Sequence, residues 1–270
     1  MEDLKNKVAV ITGAASGIGR GIARACAAKG CHVVAADVDV AGAEQLASEL
    51  AARGVRSVAV HCDVTDPAAI EALAERAVGH FGAVDVLCNN AGVGGLGLAS
   101  EVSPSDVEWI FSVNVFGVLN GVRAFVPRFK AAGRPAHILN TGSEHSLGVP
   151  FPGMGHLHGE QARRARSQRR APPRARRLRH RRQRPLPGGR PHRDLERGRT
   201  RGARFGGPVE SPEQFREFMA AGMDPDEVGR IAVAGIERND FVILTHPEVR
   251  QIAEERSHAV LGAFDAYFPR

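Results

Sequence analysis

Apolar positions along this chain alternate between two periodicities, separated by glycine and polar residues. Val8-Ala9-Val10-Ile11-Thr12 is a continuous apolar run that reads as a buried strand. Ile22, Ala23, Cys26 and Ala27 then keep helical spacing, and Gly30 reads as a C-terminal stop. His32-Val33-Val34-Ala35-Ala36-Asp37 is a second strand and Ala43–Ala52 a helix. A third strand is expected over Val58–Val64. Asp66-Pro67, as N-cap and first-turn proline, opens a helix to about Phe81. Val84–Cys88 is a fourth strand, Ser103-Pro104 opens a long apolar helix to about Lys130, and Ala136–Ser143 is a fifth strand. Strands alternating with helices at this spacing predict an α/β fold, a single-domain, doubly wound parallel sheet.

The join between the first strand and the first helix carries the first chemical signal. Gly13-Ala14-Ala15-Ser16-Gly17-Ile18-Gly19 has the spacing Gly-x-x-x-Gly-x-Gly. Glycines there let backbone N–H groups approach a pyrophosphate at a helix N-terminus. A glycine-rich turn without a ligand is the plain alternative. Asp37 falls at the end of the second strand, 18 residues past Gly19. A carboxylate there can accept both ribose hydroxyls of an adenosine and repels a 2′-phosphate. No arginine follows directly, which favours NAD over NADP. An ordinary turn aspartate is the competing account. Asn114, among Val113, Val115 and Phe116, must either bond backbone or serve a site. Ser143 lies where ligands bind in open α/β sheets, although a loop or capping serine would look the same.

Composition narrows the class. An apolar fraction of 43% suffices for a sizeable core. There is no run of about 18 apolar residues and no secretory pattern at the N-terminus, so neither a membrane span nor export is expected. Cys26, Cys31, Cys62 and Cys88 stand singly, with no metal-ligand spacing, and suit a reducing cytoplasm. The net charge of +6 is unevenly spread. Positions 156–204 hold 18 arginines and three acids, a balance of +15, so the remainder carries −9.

With Thr12–Gly19, Asp63-Val64, Asn89-Asn90-Ala91-Gly92, Asn114 and Ser143 in this order, the sequence resembles the short-chain dehydrogenase/reductase family. The match covers about 1–155 well and the tail from Phe205 more loosely. The resemblance implies a Rossmann-like domain and an NAD(P)-linked oxidoreductase acting on a small alcohol or carbonyl compound. It implies that Gly13, Ser16, Gly17, Ile18 and Gly19 hold the pyrophosphate side of the cofactor and Asp37 its ribose. Asp63 and Val64 would border the adenine, and Asn90, Ala91 and Gly92 would line the cleft. Ser143 would hydrogen-bond the substrate oxygen, and Asn114 would position a water in a proton relay. Gly94–Leu98 and Leu147–Phe151 would flank the substrate. In the tail, Pro212–Met223 suggests a short helix or lid, Asp224-Pro225 starts a helix, and Asp240–Thr245 reads as a last strand, followed by a helix to about Phe268. The resemblance implies that subunits pair into homo-oligomers through this region.

The family's proton donor is a tyrosine in a Tyr-x-x-x-Lys motif, and this chain has neither residue at that place. The expected position reads Gly155-His156-Leu157-His158-Gly159-Glu160-Gln161, and the single tyrosine is Tyr267. Positions 156–204 contain four leucines, five prolines and no Val, Ile, Phe, Met, Tyr or Trp. Such a stretch cannot bury enough apolar surface to offset its ordering entropy. Yet it stands where the family has its catalytic helix and sixth strand. One reading makes it a disordered basic insert that binds a polyanion, but it lacks lysine and interleaved aromatics. The other makes it a family segment read out of frame. His156–Arg163 can be encoded CAT CTA CAC GGC GAG CAA GCA CGC. Without its first base this reads Ile-Tyr-Thr-Ala-Ser-Lys-His, with the tyrosine codon 14 positions past Ser143. Leu186-Pro187-Gly188, as CTG CCC GGG, likewise shifts to Cys-Pro-Gly, the family's turn after strand six. The tyrosine is one of four residues that codon degeneracy allows there. The two landmarks together favour the frame reading.

Overall fold

The computed structural model describes residues 1, 3–94, 100, 102–147, 201–210, 213 and 222–268. Five strands form one parallel sheet: β1 (Val8–Thr12), β2 (His32–Asp37), β3 (Ser57–His61), β4 (Val86–Asn89) and β5 (His137–Asn140). Their order is β3-β2-β1-β4-β5, with Val10 level with Val34 on one side and Leu87 on the other. The helices are α1 (Gly17–Ala28), α2 (Val40–Ala51), α3 (Pro67–Phe81), α4 (Pro104–Phe111), α5 (Gly117–Ala132), α6 (Pro225–Arg238) and α7 (Arg250–Tyr267). The crossover direction reverses between β1 and β4. That is the topological switch point, where a crevice opens at the carboxyl ends of the strands.

Two apolar layers hold the sheet. On one face Ile11, Val33 and Val86 pack with Ile22, Leu46, Leu50 and Ile236 from α1, α2 and α6. On the other, Val10, Val34 and Leu87 pack with Ile70, Leu73 and Phe125 from α3 and α5. Helices α1 and α6 approach at backbone contact. A Cβ on Gly21 would strike the Pro225 carbonyl oxygen, and one on Gly229 the Gly21 carbonyl. Arg24 braces the same junction, paired with Glu49 at 2.9 Å and Asp226 at 3.1 Å. The proline starts follow the expected chemistry. Asp66 caps α3 by accepting from Ala68 N–H at 2.9 Å, and Asp224 caps α6 by accepting from Asp226 N–H at 3.0 Å.

Three expectations change. Asp240–Thr245 is not a strand. Phe241 is fully exposed at 101%, and among the described residues the segment pairs with neither edge of the sheet, β3 or β5. The fifth strand stops at Asn140, with Ser143 three residues beyond and a short 3-10 turn, Glu144–Leu147, after it. The long helix is interrupted by a π turn at Ser112–Phe116. By length and composition this continuous helix, Pro104–Ala132, could cross a membrane, though 44% of its most apolar window is buried inside the fold. Most of the basic window, Gly95–Leu98, Gly148–Phe151 and most of Pro212–Met223 lie outside the described residues. The end of the basic window does not. Arg201 is only 7% exposed and Phe205 is buried, so the last residues of the window are built into the fold.

Candidate active site at the carboxyl edge of the sheet

Because the strands are parallel, the segments that follow them share one edge. There the structure brings together the Gly13–Gly19 loop after β1, Asp37 ending β2, Asp63-Val64 after β3, Asn90–Gly92 after β4 and Ser143 after β5. The glycine loop is open: Gly13, Ser16 and Ile18 keep partial exposure, while Ala14, Ala15, Gly17 and Gly19 are buried. Gly13 has φ +66°, and a Cβ on it would stand 2.9 Å from the Ala91 Cα. A Cβ on Gly19 would reach Asn90 Nδ2 at 2.5 Å and also strike the Gly13 carbonyl. Helix α1 carries no acidic residue in its first turn, so its dipole is free to favour an anion.

Asp37 is fixed by two backbone donors. Its Oδ2 accepts from Ala15 N–H at 2.9 Å and its Oδ1 from Asp39 N–H at 2.9 Å. The first bond ties it directly to the glycine loop. Asp63 Oδ1 accepts from Thr65 N–H at 2.9 Å and from the Thr65 hydroxyl at 2.5 Å. Val64 is buried under α5, where Gly117 leaves room for it and Asn120 Nδ2 donates to its carbonyl at 3.0 Å.

The seam between β1 and β4 is held by Thr12, whose role the apolar pattern did not reveal. Its hydroxyl accepts from Asn90 N–H and from Ala91 N–H, both at 3.0 Å, and donates to the Cys88 carbonyl at 3.3 Å. Asn90 Nδ2 donates to the Thr12 carbonyl at 3.0 Å, and Asn90 Oδ1 accepts from the Thr141 hydroxyl at 3.2 Å. The Asn90 side chain therefore locks three strand ends together beneath the loop. The readable signal for Thr12 was a hydroxyl closing an otherwise apolar run at the switch point.

Asn114 sits in the π turn, whose extra residue widens the helix. Its Oδ1 accepts from Val93 N–H at 2.8 Å and its Nδ2 donates to the Val93 carbonyl at 2.8 Å. Its amide thus bonds backbone and pins the segment that follows Gly92. Ser143 is exposed, and its carbonyl accepts from Ser146 N–H at 2.9 Å. Among the described residues no cluster of metal-ligating side chains occurs. All four cysteines are free and buried, and burial raises the Cys62 thiol to about 12, beside Asp63, Asp66 and Asp37.

A parallel sheet of this order, with a glycine loop at its switch point, is a Rossmann-like α/β architecture. The short chain dehydrogenase family profile matches residues 7–156, and the chain belongs to that family of oxidoreductases. It is 32% identical over 283 residues to the C alpha-dehydrogenase of Sphingobium sp. strain SYK-6, covering 97% of this chain and 88% of that protein. It is 45% identical over 142 residues to the 1-deoxy-11-beta-hydroxypentalenate dehydrogenase of Streptomyces exfoliatus, and spans about half (52%) of that relative's length. A short chain dehydrogenase/reductase from Burkholderia phymatum, solved in complex with NAD, superposes with TM-score 0.79 at 29% identity, with 97% of each chain covered.

Proposed function

We propose that this protein is of an NAD-linked oxidoreductase lineage that interconverts an alcohol and a carbonyl compound, and that residues from about 156 to 200 are a displaced reading of its catalytic segment. The observation that carries the cofactor assignment is the Asp37–Ala15 bond. It sets a carboxylate beside the phosphate-binding loop, where it would take ribose hydroxyls and oppose a 2′-phosphate. Gly13, Ser16, Gly17, Ile18 and Gly19 would hold the diphosphate, Asp63 and Val64 the adenine, and Asn90, Ala91 and Gly92 the cleft wall. When bound, the cofactor would take hydride from the alcohol or, in its reduced form, give it to the carbonyl carbon. Ser143 would hold the substrate oxygen, and Asn114 would fix the Val93 backbone and a water beside it.

Three observations support the displaced frame. The family match stops at residue 156, where the codon shift begins. The Burkholderia phymatum enzyme and this chain each cover 97% of the other, so the basic window replaces chain of ordinary length instead of adding to it. Arg201 and Phe205 are built into the fold, as they would be if the frame has returned by that point. A carbonyl oxygen receiving hydride needs a proton from a group tuned towards neutral pH. As written, the chain has neither the tyrosine nor the lysine for that task. It is expected to bind NAD weakly and to show no turnover, while a gene restored to Ile-Tyr-Thr-Ala-Ser-Lys turns over alcohols or ketones. A clean, uninterrupted gene sequence encoding every arginine, or hydride transfer by the pure chain, would overturn the frame reading. Titration of the folded chain with NAD and NADP tests the cofactor; equal affinity for both would remove Asp37 from its role.

A second reading rests on the +15 charge of 156–204. In it the protein is an inactive nucleotide binder whose basic loop engages a polyanion. Salt-dependent nucleic-acid binding that vanishes on deletion of 156–204 would favour it. In the leading reading the protein works in the cytoplasm, in keeping with its free thiols. It pairs as a homo-oligomer through exposed apolar residues such as Phe116 and Phe264.

A further inference from the structure

The segment Arg201–Gly207, which closes the basic window, is strapped across the mouth of the β3–α3 turn. Arg201 anchors it: its Nη1 donates to Asp106 Oδ1 at 2.6 Å, its Nη2 donates to the Ser105 hydroxyl at 3.0 Å, and its guanidinium lies 5.4 Å over the Trp109 ring. Phe205 is buried, and Gly206 and Gly207, with φ +101° and +78°, turn the chain away. Between these anchors Arg204, itself exposed and lying over the Phe205 ring at 4.6 Å, donates to the Thr65 hydroxyl. That hydroxyl donates onward to Asp63 Oδ1 at 2.5 Å, and Thr65 N–H donates to the same oxygen at 2.9 Å.

From this relay we infer that Arg204 is a positioning residue for the adenine end of the groove, acting through Thr65 on the Asp63 carboxylate. The inference rests on the dinucleotide reading of the site. A serine or threonine hydroxyl can accept one bond while donating another, so cation, hydroxyl and carboxylate form one polarised chain. Both Thr65 donors engage Oδ1, which leaves Oδ2 as the oxygen to accept a base amine. The surrounding turn is anionic, with Asp37, Asp63 and Asp66 all raising the Cys62 thiol, and Arg204 supplies the opposing charge. Adenine offers an exocyclic amine to such a carboxylate. Hypoxanthine carries an oxygen there instead, so the relay is a device for telling the two bases apart.

The test is calorimetric titration of the full chain with NAD and with nicotinamide hypoxanthine dinucleotide. Arg204→Ala is expected to weaken NAD binding by about tenfold, and to leave hypoxanthine dinucleotide binding within about twofold. Thr65→Val should reproduce that split, and Arg204→Lys should restore most of the NAD affinity. Equal loss for both dinucleotides marks a merely structural strap and overturns the inference, as does NAD affinity untouched by Arg204→Ala. If the unaltered chain binds neither dinucleotide, the groove assignment itself fails and takes the inference with it. If it binds NAD and the variants are silent, only the inference falls.

Discussion

Strands β1 and β5 belong to one sheet and are both largely apolar, yet β1 is buried along its whole length. β5 is only half-buried and ends exposed at Asn140. β1 lies between β2 and β4; β5 has a described neighbour on one side only. The helices repeat the contrast. α6 buries Val228, Ala232, Val233 and Ile236 against α1, whereas α7 buries no residue and exposes Leu261, Phe264 and Tyr267. Apolar sequence alone does not confer burial; neighbours on both sides do. The glycine loop, Asp37 and Asn90 follow strands flanked on both sides, and there Thr12, Asp37 and Asn90 are pinned by backbone partners.

The contrast is sharpest for two phenylalanines. Phe125 is 0% exposed between α5 and the sheet, and Phe125→Ala is expected to cost about 3–5 kcal/mol in denaturant unfolding. A cost near zero would mean that the two-sided core is not packed as described. Gly21→Ala drives a methyl into the Pro225 carbonyl where α1 crosses α6. A loss of about 1–3 kcal/mol is expected, and unchanged stability would show that the helices stand further apart.

Glu49 tests the same junction through pH. Its hydrogen bond from Arg24, followed by that from Arg20, holds its carboxyl below the ordinary value of 4.5. The stability it contributes is therefore fully present above that value, and is lost as pH falls through the lowered folded value. Glu49→Gln should cost no more than about 1 kcal/mol at neutral pH, with the gap from the parent closing in acid. A gap that widens in acid would reverse the assignment. Last, Phe264→Ala on α7, where the ring is 60% exposed, should shift monomer stability within about 0.5 kcal/mol. A large loss at dilute concentration would mean that the face is covered within one chain.

Much of this architecture was legible before any coordinates. β2 and the ends of α3 fall where the apolar run, the Asp66-Pro67 start and Phe81 placed them. The glycine spacing located the open loop, and Asp37 stands at its predicted strand end. Asn114 was poised between two accounts, because a helical asparagine reads alike whether it faces backbone or ligand; the structure shows its amide bonded to the Val93 backbone. Asp240–Thr245 misled, since a β-branched apolar run specifies a strand only where it is docked on a sheet edge, and here Phe241, Val242 and Leu244 are exposed. Arg201 and Arg204 were hidden by composition, being two arginines at the end of an arginine-rich stretch.

The sequence by itself determined the alternation of strands and helices, the parallel sheet and the location of the glycine loop, because periodicity, β-branching and glycine act over a few residues. It also determined that the expected Tyr-x-x-x-Lys motif is missing from the chain as written. Only the tertiary structure decided that Thr12 and Asn90 stitch the strand ends, that Asp37 is held by Ala15, and that Arg204 reaches Asp63 through Thr65. Those pairings join residues 22 to 139 positions apart. Their geometry comes from strand order and packing, which local chemistry does not encode.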